Sequence, residues 1–389
     1  MGGVILVEIA TQVTASSDGD AILEEFLSYL KPSTASVYRI TFRKHFLPYL
    51  KTVEFHGEKI PNLQVMLDLI SADQAKTVRE KQNVGRAIFK GFSEYLIAEG
   101  MAPKSVVNRV GAVQSLCKFK ELAVSTKWIQ LPEPIAQTKS FAWTIQWYEI
   151  HNAYLKHADY RALSACTFQS GSGISDVLAR PYGLIQKQYE AQLENISKQI
   201  AYLAASKTYA LSPEFPVKSI VFRAVRIKTG VEHRTCYGPE SLVLIKRHFD
   251  EIYGENGVPK LEEPIFKMQR RPIDELFAVR AKTLIGEWPF RNPMSIHGFR
   301  KFFRKRMVKE CHCPSEYAEY FMAHQLKGDM RKTYSEMEDH EWLQIYREYG
   351  EPKLLPDGTL QTGLAFRILP YEVAQREFKK LGSAPALST

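Results

Sequence analysis

Tyr38, Phe42, Phe46 and Tyr49 recur every three or four residues behind a Pro-Ser-Thr start signal at 32–34, a spacing that lines four rings along one helix face. A strand, with its period of two, would send them to both faces. A second helix is predicted from the mid-seventies to Glu99, stopped by Gly100 with Pro103 just beyond. A third should begin near Ser105 and carry Val106, Val110, Val113 and Leu116 inward. Residues 19–122 therefore read as a small helical domain behind a tail at 1–18. The stretch VSTKWIQLPEPIAQTKS has two prolines and no sustained period, and 123–139 is assigned as a linker. At 389 residues the chain is long enough for two domains, and a larger, mostly helical one is expected from 140.

Within it, SIVFRAVRIKTGVEHRTCY (219–237) is rich in β-branched residues with Thr-Gly at its middle, which predicts a hairpin with Lys228 just before the turn. The fold class expected is mainly α with a small β-sheet. Ile185, Tyr189, Leu193, Ile196, Ile200 and Leu203 repeat at helical spacing. Two readings stay open: a helix packed on its own domain, or an arm that grips another protomer.

The formal net charge of +9 favours a polyanionic partner. The five cysteines are an odd, scattered set that forms no disulfide framework and fits a reducing compartment. The pair at Cys311 and Cys313 has no second ligand pair at zinc spacing, so no metal is expected. The N-terminal run VILVEIA carries Glu8 and is too short to span a bilayer, so the expectation is a cytoplasmic protein with no membrane partner.

The stretch QSGSGISDVL (169–178) fails as a dinucleotide loop, because Asp176 holds the place of the third glycine, and it lacks the Gly-Lys-Ser/Thr of a P-loop. Further on, SIHGFRKFFRKRM (295–307) offers Ser295 as a cap and places His297 and Arg300 three apart on one helix face. Phe299, Phe303 and Met307 form the opposite, buried stripe. Lys301, Arg304, Lys305 and Arg306 give the helix a positive surface suited to DNA phosphates. His324 and Tyr334 follow in FMAHQLKGDMRKTYSEM.

In order, Lys228, His297-x-x-Arg300, His324 and Tyr334 resemble the catalytic domain of tyrosine recombinases, the phage and archaeal integrase family of DNA-breaking and rejoining enzymes. The resemblance spans about 140–345, and the helical region 19–122 resembles the family's SAM-like core-binding domain. It implies an α-rich catalytic domain, double-stranded DNA as partner, and a tail at 346–389 for protomer contacts. It also implies a monomer or dimer when free and a tetramer in the synapse. No cofactor is implied, because a 3′-phosphotyrosine conserves the bond energy. Tyr334 would be the nucleophile, His297 its proton acceptor, Arg300 and His324 ligands of the scissile phosphate, and Lys228 the acid for the leaving 5′ oxygen.

In this register GSGISDVL matches the family segment that carries the first catalytic arginine, and its position is Gly173; Asp176 matches the supporting acid. The paired glycines then mark a missing side chain. Arg161 and Arg180 lie about three helical turns upstream and two downstream. Ala323 stands where the family often has glycine. Two classes of function remain: a recombinase slowed by about 10² to 10³ for want of one donor, or a DNA-binding protein of recombinase descent that cleaves weakly or not at all. A relaxing, topoisomerase-like activity would use the same site. The register also implies that Gly173→Arg restores a donor and accelerates cleavage by about 10² or more.

Overall fold

The computed structural model describes residues 18–55, 57–77, 83–127, 129–133, 141–288, 292–324, 326 and 334–381. The chain divides into two compact units, Met1–Gln137 and Thr138–Thr389. The fold is mainly α, and among the described residues its sheets are three two-stranded antiparallel hairpins. No described helix is long and apolar enough to cross a membrane.

The first unit comprises α1 (Asp18–Ser28), α2 (Pro32–Thr41), α3 (Leu47–Leu50), a small hairpin of β1 (Glu54–Phe55) and β2 (Glu58–Lys59), α4 (Leu63–Gln74), α5 (Val84–Ala98) and α6 (Pro103–Phe119). Pro32 and Pro103 open their helices with a preset φ and no wasted N–H. The Asn62 side chain caps α4 by accepting from the Val65 N–H at 3.0 Å. Between α2 and α3 the chain widens into a π turn, Phe42–Phe46, which keeps both rings fully buried. Phe46 meets Phe92 of α5 edge to face at 4.9 Å. The expected linker is not wholly free: Val124 and Ile129 are buried in this unit's core. Its residues 134–139, and the tail 1–17, lie outside the described residues.

The second unit is built around α8 (Ala158–Ser170), whose residues 162–170 are all buried. A helix covered on every side is a core element. It follows α7 (Ile145–Tyr154), capped by Thr144, and precedes α9 (Ile174–Leu178), α10 (Gln186–Glu190) and α11 (Leu193–Ala205). The hairpin pairs β3 (Ile220–Val225) with β4 (Glu232–Tyr237), Ile220 opposite Tyr237 and Val225 opposite Glu232. Then come α12 (Pro239–Tyr253), α13 (Arg270–Ile285), α14 (His297–Arg304), α15 (Ser315–Phe321), α16 (Asp339–Gly350), β5 (Lys353–Leu354), β6 (Leu360–Gln361) and α17 (Tyr371–Leu381). Helices α7, α12 and α14 and strand β4 pack on α8.

Two expectations are corrected here. The periodic segment 185–203 is two helices, and its buried side chains Ile185, Tyr189, Ile196 and Leu203 join this unit's own core, which removes the free-arm reading. The helix at 295–307 is regular only over α14 and continues from Arg304 into a π turn, Lys305–Glu310, while Ser295 caps through its backbone carbonyl rather than its hydroxyl. Up to Leu381, the segment expected to make protomer contacts packs on its own unit. Leu364, Phe366, Ile368 and Leu369 are buried in the core, and Arg367 bridges Glu149 of α7 and Glu377 of α17 at 2.7 and 2.8 Å.

Candidate active site

Helix α8 stops at Gly171, which has φ +61°, and the Phe303 ring occupies the space a Cβ would need. Glycine is required there on both counts. Gly173 is different. Its φ of −72° and ψ of 148° suit any residue, and a Cβ would meet only Asp176, with Oδ2 at 2.9 Å. The absent side chain at 173 is therefore not dictated by the backbone.

Asp176, on the first turn of α9, accepts from the Ile227 backbone N–H through Oδ1 at 2.9 Å. This bond ties the turn after α8 to the base of the β3–β4 loop. The loop is closed by Arg226 N–H to Val231 O at 2.9 Å and by Gly230 N–H to Arg226 O at 2.7 Å, with Gly230 at φ +67°. Lys228 sits exposed on the tip and forms no hydrogen bond or ion pair among the described residues. The half-buried Arg226 points back and donates from Nη1 to the Ala323 carbonyl at 2.9 Å.

Arg300, one turn into α14, is only 4 % exposed. Its Nη1 donates to Gly171 O at 2.7 Å and its Nη2 to Met322 O. Two of the guanidinium's five N–H donors are thus fixed on backbone, which locks the fork in place and leaves the remainder for a ligand. Burial, and next the charge of Arg226, pull its pKa down to about 10.

His324 follows Ala323, whose φ of +54° is left-handed and explains why glycine would suit that position. The His324 Nδ1 pairs with Glu319 Oε2. Burial first, and then Arg300 and Arg226, lower the His324 pKa against the opposing pull of Glu319. Its Nδ1 is committed to Glu319, and Nε2 is the nitrogen left for a ligand. Burial works against the Glu319 carboxylate, but its bonds to Arg304 and His324 prevail and its pKa falls.

The fold brings Gly173, Asp176, Arg300 and His324 together, with the hairpin laid over them. His297, on the first turn of α14, is exposed. The Tyr334 ring lies within 5.5 Å of Tyr317, 6.1 Å of Tyr320 and 5.8 Å of Trp342. Burial there, then Tyr317, raises its pKa, so a shift out of this nest would favour the phenolate.

Most of the α14 cations expected to meet DNA phosphates have partners within the fold. Lys301 is exposed, but Arg304 is bound to Glu319, and Lys305 reaches Trp143 O at 3.3 Å and Glu310 at 3.5 Å. Arg306 holds Thr362 Oγ1 at 2.7 Å, Gly363 O and Glu310, and its side chain is 11 % exposed. It anchors the C-terminal segment.

Sequence reasoning missed three residues. Arg226 was overshadowed by Lys228 in RIKTG, and Glu319 by the tyrosines around it. Arg234, on β4, donates to Ser335 O at 3.3 Å and Asp339 Oδ1 at 3.1 Å, so it positions the segment that carries Tyr334. A cleft of about 290 Å³ opens between these elements, lined by His233, Arg234, Ala323, His324 and Ser335 among others.

No protein-family model and no curated protein matches the chain. Solved structures to which the chain is similar at low identity include a recombinase and two integrase complexes. A XerA recombinase structure shares 11 % identity at a TM-score of 0.33, over 85 % of this chain and 99 % of that one. A lambda integrase tetramer bound to a Holliday junction shares 12 % at 0.47, over 86 % and 87 %. A lambda integrase(75-356) dimer bound to a COC′ core site shares 12 % at 0.46, over 79 % and 95 %.

Proposed function

We propose that the protein is a tyrosine recombinase, which cuts and rejoins DNA strands through a 3′-phosphotyrosine link. The observation that carries this reading is the fixed Arg300 fork beside His324, whose Nδ1 is anchored on Glu319, under a hairpin that offers Lys228. Guanidinium donors, and the Nε2–H that His324 gains when an anion at the site favours its charged form, suit the charge that gathers on the non-bridging oxygens of a phosphodiester under attack. Tyr334 attacks phosphorus, its proton passes to His297, and the bond to the 5′ oxygen breaks as Lys228 protonates it. The 5′ hydroxyl of another strand reverses the step. Double-stranded DNA is the partner, in line with the surplus of nine positive charges. Strand exchange then requires several copies on DNA.

A second reading, a DNA-binding protein with little or no cleavage, is favoured by the bare Gly173 position and by the packing of Tyr334 against Tyr317 and Tyr320. A nicked suicide DNA substrate separates the two on a denaturing gel. The enzyme should yield a covalent adduct that maps to Tyr334 and vanishes in Tyr334→Phe. DNA binding with no adduct from the unaltered chain would establish the second reading.

A further inference from the structure

We propose that Arg226 supplies the second guanidinium of the phosphate site, in the role that Gly173 leaves unfilled. This rests on the phosphodiester reading above. Three arginines compete for the role, and two are committed elsewhere. Arg161 donates to Asn152 Oδ1 at 3.1 Å and Leu369 O at 2.9 Å, which fastens the C-terminal segment. Arg180 is 3 % exposed beneath the turn, where it donates to the Tyr237 hydroxyl at 2.9 Å and to Ser172 Oγ and lies 5.1 Å over the Phe222 ring.

Arg226 is placed where a ligand can reach it. Its Nη1 is on the carbonyl of Ala323, the residue before His324, and the next residue along the hairpin is held by Asp176, three residues after Gly173. After burial, its charge is the next influence that lowers the pKa of Arg300, and it adds a smaller push in the same direction at His324, as a cation at close range must. Among the described residues neither Arg226 nor Arg300 pairs with a carboxylate. Two neighbouring guanidiniums that spend their hydrogen bonds on neutral carbonyls, with the Asp176 and Glu319 carboxylates offsetting only part of the charge at Arg300, form a positive centre that an anion with two equivalent oxygens relieves. A phosphodiester has that form.

The test uses the full chain with Arg226→Gln, Arg226→Lys and, as a charge-loss control on the exposed face of α13, Arg271→Gln. Inorganic phosphate is titrated while the His324 ring signals are followed by NMR. Arg226→Gln should weaken phosphate about tenfold or more, Arg226→Lys less, and Arg271→Gln by under twofold. On nicked DNA, Arg226→Gln should slow adduct formation about 10²- to 10³-fold. The loss should fall below about tenfold when a neutral methylphosphonate replaces the scissile phosphodiester, because the charge that Arg226 answers is then gone. Equal loss on both substrates, or phosphate affinity unchanged by Arg226→Gln, would overturn the assignment and leave Arg226 a structural residue. If the unaltered chain forms no adduct yet its phosphate binding depends on Arg226, the recombinase reading falls and the anion-site assignment stands.

Discussion

The Asp176 carboxylate accepts the Ile227 backbone N–H at 2.9 Å, and this bond ties the turn that carries Gly173 to the loop that carries Arg226 and Lys228. A charge-assisted bond of this kind contributes about 1.5–3 kcal/mol. Asp176→Ala should therefore raise hydrogen exchange at the Ile227 amide by roughly 10- to 150-fold, while Asp176→Asn, which keeps an acceptor, should raise it far less. Exchange unchanged in the alanine variant would show that the hairpin is held by other means.

Ala323 holds a left-handed conformation at φ +54° immediately before His324. Such a backbone costs a residue with a Cβ about 1–2 kcal/mol, against about 0.4–1 kcal/mol of extra unfolded-state freedom for glycine. Ala323→Gly should raise stability by about 0.5–1 kcal/mol in urea unfolding, with DNA binding intact. A loss of stability would mean that the Ala323 methyl contributes more by packing than its backbone strain costs.

The end of the chain carries a larger share of stability. Leu364, Phe366, Ile368 and Leu369 are all buried, and each is worth about 1.5–3 kcal/mol. Their sum is comparable with the whole stability of a typical domain. Truncation after Gly350 should leave the second unit unfolded by circular dichroism and sensitive to protease. A truncated chain that melts like the full one would show that the segment adds little to the stability of its own unit.

Elements governed by neighbours in sequence were legible in advance: the rings of α2 to α3, the hairpin around Thr229 and Gly230, and the buried stripe Phe299, Phe303 and Met307. Arg306 was not, because the π turn at Lys305–Glu310 shifts the helix register and aims it at Gly363, a partner 57 residues away. The packing of 364–369 was hidden for the same reason: no local period announces a segment that is buried by distant helices. Arg226 was concealed because its function depends on Ala323 and Arg300, which only the fold brings near.

His151 is fully buried on α7, its ring 4.9 Å from Phe277 and 5.4 Å from Trp143, with neither nitrogen hydrogen-bonded to a described residue. Burial, then Arg280, holds its pKa down to about 3. The unfolded chain takes up this proton near the ordinary histidine value of about 6.5, so stability that is full above that pH is lost as pH falls toward 3. His151→Phe should remove about one proton from the pH dependence of stability in that window, about 1.4 kcal/mol per pH unit, with little change at pH 7. Urea titrations from pH 7 to 4 measure it, and an unchanged acid slope would contradict the burial argument.

Gly173 and Arg226 should behave as alternatives for one place. An arginine introduced at 173 finds permissive backbone, and its Cβ needs only a small shift of Asp176 Oδ2, now 2.9 Å from that point. If Arg226 already fills the role, Gly173→Arg alone should change adduct formation by less than about fivefold, not by the 10² expected of a missing donor. In the Arg226→Gln background the same substitution should recover at least about tenfold, a coupling that neighbouring groups serving one function display. The decisive comparison is the adduct rate of four chains, unaltered, each single variant and the double. A 10²-fold gain from Gly173→Arg in the unaltered chain would mean that the site lacks a guanidinium, and that Arg226 stands beside the phosphate without holding it.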